Sequence, residues 1–217
     1  LPQKTKILMD ADMGNIYINP SEEILDPFRN RLSFNEAMEH LSATTSPATF
    51  TQDGERIILM ANINLLGDLK AANAFQAEGI GLYRTEFPFM VRNNFPSEEE
   101  QYIIYKKLAA GMGHKEITFR TLDIGGDKVL SYFEHHQKEK NPYLGMRSIR
   151  FSLKYADVFT QQIRAILRAG SEANIRIMFP MISSIDEFVT AREMVAEAVK
   201  SLKKERIPCH QHPPLGV

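Results

Sequence analysis

The chain has 217 residues, 43% of them hydrophobic, one cysteine, and a formal net charge of -1 from 26 basic and 27 acidic side chains. That length suits one sizeable core with an appendage, and the near-neutral balance excludes a general electrostatic role on nucleic acid or an anionic membrane, so an anion site has to be local. The lone Cys209 excludes an intramolecular disulfide framework, no apolar run approaches the ~20 residues of a membrane span, and Leu1-Pro2-Gln3-Lys4 carries no secretory pattern, so a soluble cytoplasmic protein is expected.

Residues 6–18 read as two short strands around Asp12-Met13-Gly14-Asn15, a hairpin too small to be a domain alone. Beyond Asn19-Pro20-Ser21, the positions Ile24, Leu25, Phe28, Leu32, Met38 and Leu41 recur at helical spacing, with Pro27 marking a kink or a late helix start. The Ser-, Thr- and Pro-rich stretch from Ser42 to Thr49 is a connector. The expected division is a hairpin in 1–20, a linking helix and connector in 21–49, and the main domain in 50–217.

From Glu55 onward short apolar runs alternate with amphipathic segments, the pattern of a parallel sheet with crossover helices. The runs are Ile57 to Ile63, Ile80 to Tyr83, Ile117 to Leu122 and Ile175 to Ile182, and Leu215-Gly216-Val217 reads as the opening of a fifth strand. Ser97 with Glu100, and Ser184 with Glu187, form capping-box patterns, while Gly79, Gly111 and Gly170 stand where helices should end. About two dozen residues separate Leu122 from the next helix, and loops of that length in a compact domain are usually functional or mobile.

In parallel α/β folds ligands sit at the carboxyl ends of the strands. Arg84, in Gly81-Leu82-Tyr83-Arg84-Thr85-Glu86-Phe87, and Arg120, in Phe119-Arg120-Thr121-Leu122-Asp123, fall at two such ends. Permanently charged guanidiniums aimed into one mouth suit a phosphate or carboxylate. An ion pair of Arg84 with Glu86 or another carboxylate that merely ties loops together is the other reading. In Asp123-Ile124-Gly125-Gly126-Asp127-Lys128 the glycines permit close backbone approach to an anion and Lys128 adds a mobile charge, although a plain charged turn has the same composition. Arg147 and Arg150, three apart on an expected helix, place one residue toward the mouth and the other at its edge, with Arg147 the favoured one. Adjacent His135 and His136 read as a solvated loop rather than a metal site.

Taken in order, Gly81 to Phe87, Phe95-Pro96-Ser97-Glu98-Glu99-Glu100-Gln101, Arg120 to Lys128, Asn141-Pro142 with Leu144-Gly145-Met146-Arg147, and Arg176-Ile177-Met178-Phe179-Pro180-Met181 closely resemble the phosphoenolpyruvate-protein phosphotransferases, enzyme I of the bacterial phosphotransferase system. The resemblance spans nearly the whole chain, and Tyr17-Ile18-Asn19-Pro20 looks like the exit from that family's phosphohistidine domain. It implies an α/β fold that is part of a (β/α)8 TIM barrel, with four βα units and the start of a fifth behind the hairpin and linking helix. It implies binding of phosphoenolpyruvate, transfer of its phosphoryl group to a histidine on a neighbouring domain, onward transfer to a small carrier protein in sugar transport, magnesium as cofactor, and a homodimer. The family's phosphate-binding arginines match Arg84 and Arg120, with Arg147 in support and Lys128 beside them.

None of His40, His114, His135, His136, His210 or His212 has the Thr/Ser-His setting of the family's phosphorylated histidine. Its metal carboxylates, carboxylate-binding arginine and cysteine proton donor lie on later strands, so Cys209 is an ordinary thiol and the piece alone is expected to be inactive. Phe87-Pro88-Phe89-Met90 before Phe95-Pro96-Ser97 resembles the nitrogen-related branch. The competing expectations are a non-catalytic oxyanion-sensing or dimerisation module, and another barrel enzyme such as a phosphoenolpyruvate synthase or a pyruvate phosphate dikinase.

Overall fold

The computed structural model describes residues 4–11, 14–30, 48–125 and 145–217. Strands β1 (Ile7–Asp10) and β2 (Asn15–Ile18) pair antiparallel, with Leu8 opposite Tyr17 and Met9 opposite Ile16. Because side chains alternate across a strand, Leu8 and Tyr17 face inward while Ile7, Met9, Ile16 and Ile18 share the exposed face. Residues 22–30 form helix α1, so Pro27 lies inside the helix rather than at a late start. Phe28 of α1 closes on Tyr17 and Leu65, and this small cluster fastens the hairpin to the segment around Leu65.

The expected strand from Ile57 to Ile63 is split. Thr51 and Glu55 close a tight turn, the Thr51 amide donating to the Glu55 carbonyl at 2.9 Å and the Glu55 amide to the Thr51 hydroxyl at 3.1 Å. That turn turns β4 (Arg56–Ile57) back onto β3 (Thr49–Phe50), and only β5 (Ala61–Ile63) joins the main sheet.

That sheet has five parallel strands in the order β5, β6 (Gly79–Arg84), β7 (Glu116–Arg120), β8 (Ile175–Met178) and β9 (Leu215–Gly216). Each strand lies beside the one before it in sequence, with α2 (Asp68–Ala74), α4 (Glu98–Met112), α6 (Ala156–Ala169) and α7 (Ile185–Lys204) as crossovers and α3 (Phe87–Met90) and α5 (Ile149–Lys154) as short additions. The fold is mixed α/β, as the alternation of runs predicts. Its core lies between the sheet and the helices: Ile117, Phe119 and Ile175 from the strands meet Leu108, Ile163, Ile166 and Leu202.

Both predicted capping boxes form. The Glu100 amide donates to Ser97 Oγ at 3.3 Å and the Ser97 amide to Glu100 Oε2 at 2.8 Å, and Ser184 and Glu187 repeat the arrangement at the start of α7. A cap of this kind contributes about 1 kcal/mol. Of the three glycines expected at helix ends, only Gly170 is a C-cap. Gly79 opens β6, and Gly111 lies in the last turn of α4, where a Cβ would come within 2.8 Å of Leu69 Cδ1; Gly113 ends that helix. Tight helix–helix packing, rather than termination, accounts for Gly111.

Candidate functional site

Arg84 and Arg120 are Cα partners, the last pair in the register of β6 and β7. One step earlier Tyr83 faces Phe119, and both rings turn toward the helices to meet Tyr105 edge-on. Alternation then sends the two arginines to the opposite face, at the carboxyl end of the sheet. Arg84 is exposed, and its guanidinium has no ion pair or hydrogen bond among the described residues. Arg120 is more enclosed: its Nη2 lies 2.5 Å from Glu86 Oε1, its Nη1 lies 3.8 Å from Asp123 Oδ2, and its buried Nε has no partner among the described residues.

The ion pair considered for Arg84 with Glu86 therefore does not form. Glu86 follows the end of β6, where Thr85 Oγ donates to the Arg120 carbonyl at 2.9 Å, and this bond carries the Glu86 carboxylate over β7 to Arg120. Glu86, at 5% exposure, has little access to solvent.

Arg147 is not helical. It forms an isolated antiparallel bridge with Gly125 just ahead of α5, whose N-cap, Ser148, takes a left-handed φ of 57°. That path buries the Arg147 side chain against Asp123, with Nε 3.1 Å from Oδ1 and Nη2 3.4 Å from Oδ2. Arg150, inside α5, instead donates to the Gly145 carbonyl at 2.8 Å and lies 3.9 Å from Glu187. Lys128, His135, His136, Asn141 and Pro142 lie outside the described residues.

The cluster thus sets three guanidiniums against two carboxylates, with the free donors on Arg84 and Arg120. An oxyanion with oxygens to share suits those donors. A metal does not: among the described residues no three His, Cys, Asp or Glu side chains gather as a metal site, and both carboxylates are occupied by arginine. Burial pushes the Cys209 thiol up, which disfavours the thiolate a nucleophile needs. Burial likewise raises the Tyr83 and Tyr105 phenols.

Gln162 is a further buried polar residue at this end of the sheet. It is 1% exposed on α6, and accepts from the Leu122 amide at 2.9 Å while donating to Thr85 Oγ at 3.1 Å. Its signal in the sequence is a lone amide on the apolar face formed by Phe159, Ile163 and Ile166.

A family model described as the PEP-binding domain of PEP-utilising enzymes, PEP being phosphoenolpyruvate, matches residues 38–217. The chain is 43% identical over 202 residues to the phosphoenolpyruvate-protein phosphotransferase of Bacillus sp. (strain S), which covers 93% of this chain and 35% of that protein. It is 41% identical over 216 residues to the protein of that name from Staphylococcus epidermidis, covering 99% and 38%, and 40% identical over 212 residues to the one from Mycoplasma capricolum, covering 97% and 37%. Among the described residues no helix is long and apolar enough to cross a membrane.

Proposed function

The chain belongs to the family of PEP-utilising enzymes through their PEP-binding domain, and on that premise we propose that Arg84 and Arg120 hold the phosphate of PEP in a phosphoenolpyruvate-protein phosphotransferase. The observation that carries this reading is the side-by-side register of the two arginines at the carboxyl end of the sheet, one with no partner among the described residues and the other with an unpaired buried Nε. The similarity in name and sequence of relatives at 40% identity or more favours it over a sensing module, a synthase or a dikinase.

Phosphoryl transfer asks a protein chiefly to position the moving group and to neutralise charge on its oxygens. In this reading Arg84 and Arg120 supply the donors. Glu86 and Asp123 hold Arg120 in place and keep the mouth from accumulating unbalanced positive charge, which would hold the phosphoryl group too tightly to release. Arg147 acts through Asp123, and Lys128 is proposed as an additional charge on the same phosphate.

The chain spans 35 to 38% of the length of these relatives. The sheet is accordingly proposed to be the front part of a (β/α)8 barrel, and the hairpin the exit from a phosphohistidine domain that receives the group and passes it to a small carrier protein. Dimerisation, a cytoplasmic location and a place in the sugar or the nitrogen branch of the phosphotransferase system are parts of the same proposal. Magnesium, which the resemblance implies, finds no fitting site among the described residues, so no step is derived through it.

The test is transfer from labelled PEP in the full-length protein. Arg84→Ala should lower kcat/KM for PEP by about 10² to 10³-fold while leaving the thermal midpoint unchanged. Near-normal transfer would remove Arg84 from the site. The 217-residue piece alone should show no PEP-dependent transfer.

A further inference from the structure

We propose that Gln162 and Thr85 are positioning residues for the arginine pair, tying the ends of β6 and β7 together beyond their last register and so fixing the aim of Arg84 and Arg120. The inference rests on the reading that this pair holds a phosphate.

The bonds that carry it run in one direction. The Leu122 amide can only donate, so the Gln162 oxygen must face it, at 2.9 Å. The Gln162 Nε2 therefore turns to Thr85 Oγ at 3.1 Å and to the Tyr105 hydroxyl at 3.4 Å. Thr85 Oγ, accepting that proton, donates its own to the Arg120 carbonyl at 2.9 Å. The Tyr105 hydroxyl donates to Gln101 Oε1 at 3.1 Å, and Gln101 Nε2 donates to the Pro96 carbonyl at 2.9 Å. Thr85, Gln101, Tyr105 and Gln162 are all at 1% exposure or less, so water has little access to replace a lost partner.

The placement of these bonds distinguishes them from general core packing. Register between β6 and β7 ends at Arg84 and Arg120. Past that pair the Thr85 and Gln162 side chains connect the two segments, one residue before the carboxylates of Glu86 and Asp123 that engage Arg120. Loss of the Thr85 hydroxyl removes its bond to the Arg120 carbonyl, loss of the Gln162 amide unties both Thr85 and Leu122 from α6, and misplacing a binding group by about 1 Å can cost on the order of 10²-fold in rate.

The experiment uses steady-state kinetics of the full-length protein with PEP. Thr85→Val keeps the shape and removes the hydroxyl, Gln162→Met keeps the length and removes the amide, and Thr85→Ser retains the hydroxyl. Thr85→Val and Gln162→Met should raise KM for PEP about 10-fold and lower kcat/KM by about 10²-fold, while Thr85→Ser stays within about threefold of the parent. Leu108→Ala, in the same buried core, serves as the structural control and should lower the thermal midpoint without moving KM. Parent-like KM in both Thr85→Val and Gln162→Met overturns the inference, as does an equal KM rise in Leu108→Ala. Arg84→Ala, run in parallel, separates the two claims. A crippled Arg84→Ala beside a normal Thr85→Val and a normal Gln162→Met sinks the positioning role alone, whereas a normal Arg84→Ala sinks the phosphate site and this inference with it.

Discussion

Gly125 and Arg147 are partners in an isolated antiparallel bridge, and a Cβ on Gly125 would lie 2.2 Å from the Met146 carbonyl oxygen and 2.8 Å from Arg147 Cα. Gly125 also holds φ at 113°, a conformation that L side chains rarely adopt. Two backbones meet here, so neither a rotamer change nor a small shift relieves the overlap. Gly125→Ala should cost about 3 kcal/mol or more and displace Arg147 from Asp123. Gly113, at φ 60° with nothing within 4 Å of its Cβ position, is the comparison, and Gly113→Ala should cost only about 1 kcal/mol. Urea unfolding of the two variants checks this, and equal losses would refute the close approach at Gly125.

Arg84 and Arg120 should separate in stability although both are assigned to one ligand. Arg84 has no partner among the described residues, so Arg84→Ala should leave unfolding free energy within about 0.5 kcal/mol of the parent. Arg120→Ala leaves Glu86 buried without its guanidinium and should cost about 3 kcal/mol. The Glu86 contact is what sets Arg120 apart from Arg84. Chemical denaturation decides it, and equal stability of the two variants would argue against the Glu86–Arg120 pair.

The sheet is legible because its strands are short runs rich in Ile, Leu, Tyr and Phe between amphipathic segments, and the capping boxes of α4 and α7 stand out locally. Ile57 to Ile63 misled for the same reason: an apolar run does not reveal that Thr51 and Glu55 close a turn just before it. At the site, Arg84 and Arg120 could be placed because they end strands. Their different fates could not, since Glu86 and Asp123 reach Arg120 only through the folded paths after β6 and β7. The spacing of Arg147 from Arg150 suits a helix, while the left-handed Ser148 that delays α5 has no signature of its own. Gln162 interrupts the apolar face of α6, but its partners lie just past the ends of β6 and β7, 77 and 40 residues away in sequence.

Acid should destabilise the helical layer through three carboxylates. The Ser97 amide pulls Glu100 down, with the Ser97 hydroxyl and Arg92 in support. Burial opposes ionisation of Glu187, but bonds from Ser183 and Ser184 outweigh it. Arg164 and then Ser201 lower Glu205 from 4.5 to about 2. A folded-state pKa below the unfolded one gives stability that is fully present above pH 4.5 and is lost as pH falls through the folded value. Glu205→Gln should therefore melt lower than the parent at pH 7, and the two curves should converge as pH falls from 4.5 to about 2. A gap in thermal midpoint that stays constant down to pH 2 would show that the Glu205 charge is not its source.

Asp123 stands between two guanidiniums, bonding Arg147 at 3.1 Å and lying 3.8 Å from Arg120, at 5% exposure. Asp123→Asn keeps the shape but removes the charge, and turns an N–H group toward donors that have no lone pair to offer. Breaking a buried pair in this way should cost about 3 kcal/mol. The same change raises the net positive charge facing the mouth, so inorganic phosphate should bind severalfold more tightly at low ionic strength, with the gain shrinking as salt screens it. Transfer from PEP should nonetheless fall, because Arg147 and Arg120 lose the carboxylate that orients them, and catalysis depends on placement more than on total charge. Calorimetric titration with phosphate, set beside transfer kinetics of the full-length protein, tests both halves. Weaker phosphate binding together with faster transfer would reverse the role assigned to Asp123.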